Sequence, residues 1–144
     1  MPSRAPSRFP IFVHEAAEGT FYGFPEFGVP GLKIGRYHHR EERVDAETVD
    51  RSVGAEDERA LRDGLARYLP GANGARLDAR VCLFTNTRDE HFVIARDPDA
   101  PEVLLLSACS GHGFKFASVI GEIASDLVTR GTTRHEVGLF DWRD

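Results

Sequence analysis

The chain has 144 residues and a net charge of −5, with 41% hydrophobic and 28% charged residues. This is the balance of a folded protein, and it excludes a disordered or collagen-like chain. An acidic chain without a concentrated basic patch is not expected to bind nucleic acid. No apolar run approaches the roughly 20 residues that span a bilayer, so we expect no membrane partner either.

Cys82 and Cys109 are the only cysteines, too few for a disulfide framework or a structural zinc site. The histidines show no metal-ligand spacing, so we predict no metal site. Residues 1–8 are rich in proline, serine and arginine and read as a disordered leader without an apolar signal core. We therefore expect a cytoplasmic protein with reduced thiols.

The first part of the chain predicts strands followed by a helix. Short apolar runs between glycines and prolines indicate three or so antiparallel strands, at residues 9–13, 19–24 and 31–37. A short helix is possible from Asp45. A clearer helix covers residues 56–69, since leucines recur there every fourth residue and Pro70 stops it.

The second part predicts a hairpin between residues 80–85 and 91–94, then a short buried strand at 103–108. A turn at 110–113 leads into a helix over about 116–130, with Gly131 where a C′ glycine belongs. One face of this helix carries five apolar residues: Val119, Ile120, Ile123, Leu127 and Val128.

The Ser-Gly-His-Gly turn at 110–113 is the strongest local signal for a ligand. Amides at a helix N-terminus attract negative charge, and glycine allows close approach, so such a turn can hold a phosphate, a carboxylate or the carbonyl edge of a flavin. A tight connection without a ligand explains the pattern equally well. Lys115 falls in the first turn, where a cation opposes the helix dipole unless an anion compensates it; a solvated surface lysine is the alternative.

Two further residues have a functional and a structural interpretation. Lys33 lies between Leu32 and Ile34 in a predicted strand and should point away from both, as an ordinary outward-facing residue also would. Cys82, in another predicted strand, is either reactive or a small buried hydrophobe. The chain has no Gly-x-Gly-x-x-Gly fingerprint and no P-loop, so it carries no dinucleotide motif of its own.

Five motifs in order carry a resemblance to a known family: YGFP at 22–25, GLKIG at 31–35, YLPGANG at 68–74, CLFTNTRDEHF at 82–92 and SGHGFKF at 110–116. Together they resemble the C-terminal half of the monomeric sarcosine oxidase and N-methyltryptophan oxidase family. The resemblance implies an α+β fold: a mainly antiparallel sheet of the substrate domain, plus a C-terminal strand-turn-helix that would complete a missing FAD-binding Rossmann-type domain. It divides the chain into a substrate-domain segment, 9–74, and a flavin-contacting segment, 75–144.

The resemblance also implies roles for particular residues. Cys82 matches the cysteine that bonds covalently to the flavin of FAD, and Lys33 matches the lysine thought to activate dioxygen. Lys115 matches a lysine that grips the substrate carboxylate. Tyr22 and His38 fall where the family places active-site aromatic and imidazole groups.

The turn formed by Gly111, His112 and Gly113 would face the flavin ring. The implied activity is oxidation of an N-methyl amino acid such as sarcosine by dioxygen, giving an imine and hydrogen peroxide. The chain alone is expected to be inactive, with a separate FAD-domain chain or self-association completing it. Two alternatives remain: a non-catalytic binding module of the same fold, and the same chemistry on a cyclic secondary amino acid such as pipecolate.

Overall fold

The structure, a computed structural model, describes residues 9–142. The chain divides into two compact units, Met1–Cys82 and Leu83–Asp144, and each is described by itself. The predicted leader, residues 1–8, lies outside the described residues. Each unit combines a small antiparallel sheet with one α-helix, so the predicted α+β class is confirmed.

The first unit is built on a three-stranded antiparallel sheet. The strands lie in chain order: β1 (Phe12–Ala16), β2 (Gly19–Phe24) and β3 (Lys33–Arg36). The segment 25–32, with two prolines and two glycines, separates β2 from β3, whereas β1 reverses into β2 through Ala17 and Glu18, with Gly19 at positive φ (123°) as the first residue of β2. Three antiparallel strands exist as predicted, but the first is shifted from 9–13 to Phe12–Ala16, and the third is shorter than the predicted 31–37.

The helix α1 (Ala55–Tyr68) packs against one face of this sheet. Phe21 of β2 is 3% exposed, and its ring lies so close to Gly64 that a Cβ there would come within 2.6 Å. Leu65 of α1 is also buried, with 8% of its surface exposed. The predicted helix is thus confirmed to within one residue at each end. The prediction of a short helix from Asp45 is wrong. The segment makes a single turn, in which the amide of Val49 donates to the Asp45 carbonyl.

Asp57 fixes the start of α1 through both carboxylate oxygens. Its Oδ2 accepts a 2.8 Å hydrogen bond from the amide of Gly54, and its Oδ1 lies 2.9 Å from His39 Nε2. The Gly54 amide, and then the His39 bond, hold the pKa of Asp57 below its ordinary value. The carboxylate is therefore better stabilised in the folded chain than in the unfolded one.

We expect acid to weaken the fold partly through Asp57. Because the folded pKa lies below the unfolded one, the carboxylate contributes fully above the unfolded value, and its contribution is lost as the pH falls through the folded value. Asp57→Asn should cost about 1 kcal/mol at neutral pH and much less in acid, once the pH falls below the folded pKa of Asp57. Urea unfolding at both pH values measures this, with Glu56→Gln as the control because Glu56 is exposed in the same turn. An equal cost at both pH values would contradict the role.

The second unit holds a β-hairpin and a helix: β4 (Val93–Arg96), β5 (Leu104–Ser107) and α2 (Ala117–Arg130). β4 pairs with β5 in antiparallel register, with Ile94 opposite Leu106. Asp97 closes the connection, since its side chain accepts from the amides of Asp99 and Ala100. The described core of this unit contains four buried residues: Phe92, Ile94, Ala95 and Ile123.

The hairpin predicted from this part of the chain is wrong. Residues 80–85 form no strand, and the strand near residue 93 pairs forwards, with β5, instead of backwards. The reason is the sequence Asp-Pro-Asp-Ala-Pro at 97–101, which supplies a tight reversal between β4 and β5. The strand predicted at 103–108 exists as β5 but is only half-buried, and Leu106 is 39% exposed.

The helix α2 follows a short 3₁₀ helix, Phe114–Phe116, and ends at Gly131. Gly131 has φ of 75°, the left-handed conformation of a C′ glycine, as predicted. Ile123 is buried as expected, but Val128 is 72% exposed, so its assignment to the packed face is wrong. Within residues 9–142, no helix has the length and apolar character needed to cross a membrane.

Candidate functional site

The face of the first sheet opposite α1 carries two of the predicted site residues. Side chains alternate between the two faces of a strand, so Tyr22 and Phe24 lie on the face that Phe21 does not occupy. In the register of β2 with β3, Tyr22 is opposite Gly35 and Phe24 is opposite Lys33. Tyr22 and Lys33 therefore share one face, which we call the open face: Tyr22, Phe24, Lys33 and Gly35.

The Tyr22 ring lies directly over Gly35. A Cβ at position 35 would come within 2.4 Å of the tyrosine Cζ and 2.5 Å of its hydroxyl oxygen. The ring also meets Phe24 edge-on, with the centroids 6.3 Å apart and the planes at 85°. Glycine at 35 thus makes room for the ring, and Phe24 supports it from the side.

Lys33 projects from β3 as the alternation of residues predicted. It is exposed, whereas its neighbours Leu32 and Ile34 are half-buried. Its Nζ lies 5.3 Å from the centroid of the Phe24 ring, within the range of a cation–π contact. This contact keeps the ammonium group on the open face.

Cys82 is an exposed thiol outside any strand, so both its predicted strand position and the buried-hydrophobe interpretation are wrong. Neither Cys82 nor Cys109 forms a disulfide. Burial raises the pKa of the Tyr22 phenol, and negative charge on Cys82 raises it further. Cys82 therefore lies near enough for its charge to act on Tyr22, and Tyr22 remains a protonated hydrogen-bond donor at neutral pH.

His38 lies on the turn that follows β3. Its φ of 49° is in the left-handed region, and its ring meets that of Tyr37 edge-on, with the centroids 4.3 Å apart. The carbonyl of His38 accepts a hydrogen bond from the amide of Glu41. The imidazole is thus held at the end of the strand that carries Lys33.

In the second unit, the turn at 110–113 needs glycine at two positions for reasons of backbone geometry. Ser110 and Gly111 both have positive φ, 51° and 72°. Gly113 is buried, and a Cβ there would lie 1.5 Å from the carbonyl oxygen of Ala108. The positive φ of Gly111 and the close approach of Gly113 to the Ala108 carbonyl explain why glycine occupies both positions, whether or not a ligand binds.

His112 has a fixed orientation within this turn. Its Nδ1 lies 2.7 Å from the Ser110 carbonyl oxygen, and its ring stacks on Phe92 with the centroids 4.8 Å apart. A carbonyl oxygen can only accept, so Nδ1 carries the proton and donates it. In the neutral ring Nε2 is then the acceptor.

Lys115 lies in the 3₁₀ helix Phe114–Phe116 instead of the first turn of α2, which corrects its predicted position. Its Nζ is 5.1 Å from the Phe116 ring centroid. Both Lys115 and its neighbour Phe114 are exposed, Phe114 almost completely at 97%. Lys115 thus lies just before the N-terminus of α2, as a solvent-exposed cation.

The sequence reasoning missed Phe24 and Gly35, which hold Lys33 and Tyr22 in place. The signal was present, because residues 22 and 24 must share a face in any strand, but the partner positions depend on the register of β2 with β3. Within residues 9–142, no three histidine, cysteine or acidic side chains gather as a metal site would require.

Comparison with known proteins gives the family. Residues 1–127 match the family described as FAD dependent oxidoreductase. The chain belongs to this family. Monomeric sarcosine oxidase of Bacillus sp. (strain NS-129) is 46% identical over 136 residues, which are 93% of this chain and 35% of that protein. Monomeric sarcosine oxidase of Streptomyces avermitilis is 45% identical over 141 residues, covering 96% of this chain and 37% of its own length.

The chain is also similar to proteins named N-methyl-L-tryptophan oxidase. N-methyl-L-tryptophan oxidase of Escherichia coli O139:H28 is 42% identical over 129 residues, 84% of this chain and 32% of that protein. The chain thus spans about a third of the length of the curated relatives it matches.

The described residues fit the cofactor after which the FAD-dependent oxidoreductase family is named. Cys82 offers an exposed thiol, and the half-buried Tyr22 offers a hydrogen-bond donor on the open face. The amides of Gly111 and Gly113 make no hydrogen bond within residues 9–142. Backbone donors of this kind suit the electron-rich carbonyl edge of a flavin ring.

Proposed function

We propose that this chain supplies the substrate-binding and flavin-contacting part of an FAD-dependent oxidase of N-methyl amino acids. The observation that carries the proposal is the open face of the first sheet, which holds both Lys33 and Tyr22, with Cys82 near enough for its charge to act on Tyr22. A redox cofactor next to these groups would meet a nucleophile, a proton donor and a fixed positive charge. The relatives named sarcosine oxidase and N-methyl-L-tryptophan oxidase support the substrate class.

When bound, FAD supplies the two-electron chemistry that converts an amine to an imine and reduces dioxygen to hydrogen peroxide. The role proposed for Cys82 is to tether the flavin through a thioether, for which an exposed thiol is required. Lys33 places a positive charge where negative charge develops as dioxygen is reduced. Gly111, His112 and Gly113 provide the amides and the ring that contact the flavin.

The substrate is recognised by its carboxylate and its amine. Lys115, an exposed cation, is the proposed partner of the carboxylate. Tyr22 and His38 are the proposed polar contacts near the reacting carbon and nitrogen. Tyr22 suits this role because its raised pKa keeps the hydroxyl proton available for donation.

We further propose that β5, the turn at 110–113 and α2 join a larger FAD-binding domain of Rossmann type. The β4–β5 sheet has only two strands, and several apolar side chains around it and α2 are exposed: Val103, Leu106, Phe114 and Val128. Unpaired strand edges and exposed apolar groups favour association with further structure. Because the chain spans about a third of its relatives, the adenosine and pyrophosphate of FAD would be held by that domain.

The proposal is tested by supplying the FAD-binding segment of a sarcosine oxidase relative together with this chain. After denaturation, mass spectrometry is expected to show FAD bonded to the wild-type chain and none on Cys82→Ser. Cys109→Ser is the matched control, since it removes the other thiol and should retain the bonded flavin. The complemented protein should produce hydrogen peroxide from sarcosine, and the chain with FAD alone should not.

Three results would count against this function. A wild-type chain that releases all its flavin on denaturation would exclude the tether. Absence of both flavin binding and peroxide would favour a non-catalytic binding module. Oxidation of pipecolate in preference to sarcosine would keep the chemistry and change the substrate class.

A further inference from the structure

Ser110, at the start of the turn at 110–113, is completely buried, with 0% of its surface exposed. Its hydroxyl donates to the His91 carbonyl at 3.0 Å and accepts from the amide of Thr87 at 3.3 Å. Its own amide donates to the Thr85 carbonyl at 2.8 Å. The turn is therefore fastened, through one serine, to the segment at 85–91.

Thr87 forms the other side of this connection. Its hydroxyl lies 2.8 Å from the His91 carbonyl, 2.9 Å from Asp89 Oδ1 and 3.3 Å from Ser110 Oγ. Asp89 in turn accepts from the amide of His91 at 3.1 Å. We call Thr87, Asp89, His91 and Ser110 the Thr–Ser clamp.

The clamp holds a conformation that the turn would not otherwise favour. Ser110 has φ of 51°, in the left-handed region that non-glycine residues usually avoid. With the hydroxyl of Ser110 bonded on both sides, its carbonyl is kept where it accepts from His112 Nδ1. The orientation of the imidazole thus depends on the clamp.

We infer that Thr87 and Ser110 are positioning residues, which preset the backbone of the turn and the His112 ring for a bound cofactor. The Thr87 and Ser110 side chains need not touch the cofactor. Their hydroxyl groups fix the Ser110 carbonyl and, with it, the peptide groups of Gly111 and Gly113, which face the cofactor. Thr87 lies five residues after Cys82 in the chain. The inference rests on the proposed function for the identity of the cofactor.

The first arm of the test uses the 144-residue chain without flavin. Thr87→Val removes the hydroxyl at nearly constant volume, Thr87→Ser restores it, and Thr129→Val is the control on the exposed surface of α2. In nitrogen-15 spectra of the histidines, the wild type should show His112 protonated at Nδ1. Thr87→Val should give a mixture of tautomers and about tenfold faster amide exchange at 111–113, both reversed by Thr87→Ser.

The second arm measures the rate at which flavin becomes covalently bound in the complemented protein. We expect Thr87→Val to slow attachment about tenfold, as loss of an orienting second contact commonly does, with Thr87→Ser close to wild type. Identical His112 signals and exchange rates in Thr87→Val and Thr129→Val would overturn the clamp. A loosened turn with unchanged attachment would overturn its positioning role. If the wild type binds no flavin, the proposed function fails, while the first arm still decides the clamp.

Discussion

Replacing Lys33 with methionine is expected to slow the reaction of the reduced complemented oxidase with dioxygen by about 10²–10³-fold. The methionine side chain has a similar length but carries no charge, so negative charge that develops on dioxygen would lose its fixed partner. Lys33 is exposed and contacts Phe24 through its Nζ, so the substitution should cost little stability. Stopped-flow mixing of the anaerobically reduced protein with dissolved oxygen measures this step directly.

Two further variants test whether the effect requires a positive charge at residue 33 or follows from the loss of any exposed lysine. Lys33→Arg keeps a cation on the open face and should retain most of the oxygen reactivity. Lys115→Met removes a different exposed lysine and should raise KM for sarcosine while leaving the reoxidation rate near wild type. Equal loss of oxygen reactivity in Lys33→Met and Lys115→Met would show that Lys33 has no special role.

Replacing Gly113 with alanine is expected to destabilise the second unit by about 3 kcal/mol or more. The added methyl group would lie 1.5 Å from the Ala108 carbonyl oxygen and 2.5 Å from its carbonyl carbon. Both atoms belong to the backbone, so a change of rotamer cannot relieve the overlap, and the turn itself must move. Urea unfolding followed by circular dichroism and by hydrogen exchange at residues 93–107 measures the loss.

Gly121→Ala is the matched control for this substitution. Gly121 lies inside α2, and a Cβ there meets nothing within 4 Å. Alanine at this position should stabilise the helix by about 1 kcal/mol, because glycine is a poor helix former. If Gly113→Ala unfolds at the same midpoint urea concentration as the wild type, the close contact with Ala108 is contradicted.

Local signals in the sequence were enough to predict the two helices and the first sheet. The leucines of α1 and the C′ glycine of α2 act within one turn of chain, and prolines and glycines interrupt the chain between β2 and β3. The exposure of Lys33 between two half-buried neighbours also follows from alternation along a strand. Each of these features is decided by residues that are close together in the chain.

The strand predicted at 80–85 shows where local information fails. The run has the β-branched and aromatic character of a strand, but a strand forms only where a partner completes its hydrogen bonds. β4 pairs with β5 instead, because the Asp97 turn brings these two runs together at the shortest chain distance. Cys82, just inside the predicted strand, is consequently exposed and irregular.

The sequence by itself determined the α+β class and the positions of both helices. The family resemblance in the sequence is the basis for the roles that we propose for eight residues: Tyr22, Lys33, His38, Cys82, Gly111, His112, Gly113 and Lys115. Only the tertiary structure decided that Cys82 lies near enough for its charge to act on Tyr22, and that the Lys33 ammonium contacts the Phe24 ring. It also decided that Thr87 and Ser110 are hydrogen-bonded at the turn that orients His112. The physical reason is the same in each case. Residue type and local periodicity act over a few residues, whereas these neighbours are set by strand register and by hydrogen bonds between distant segments.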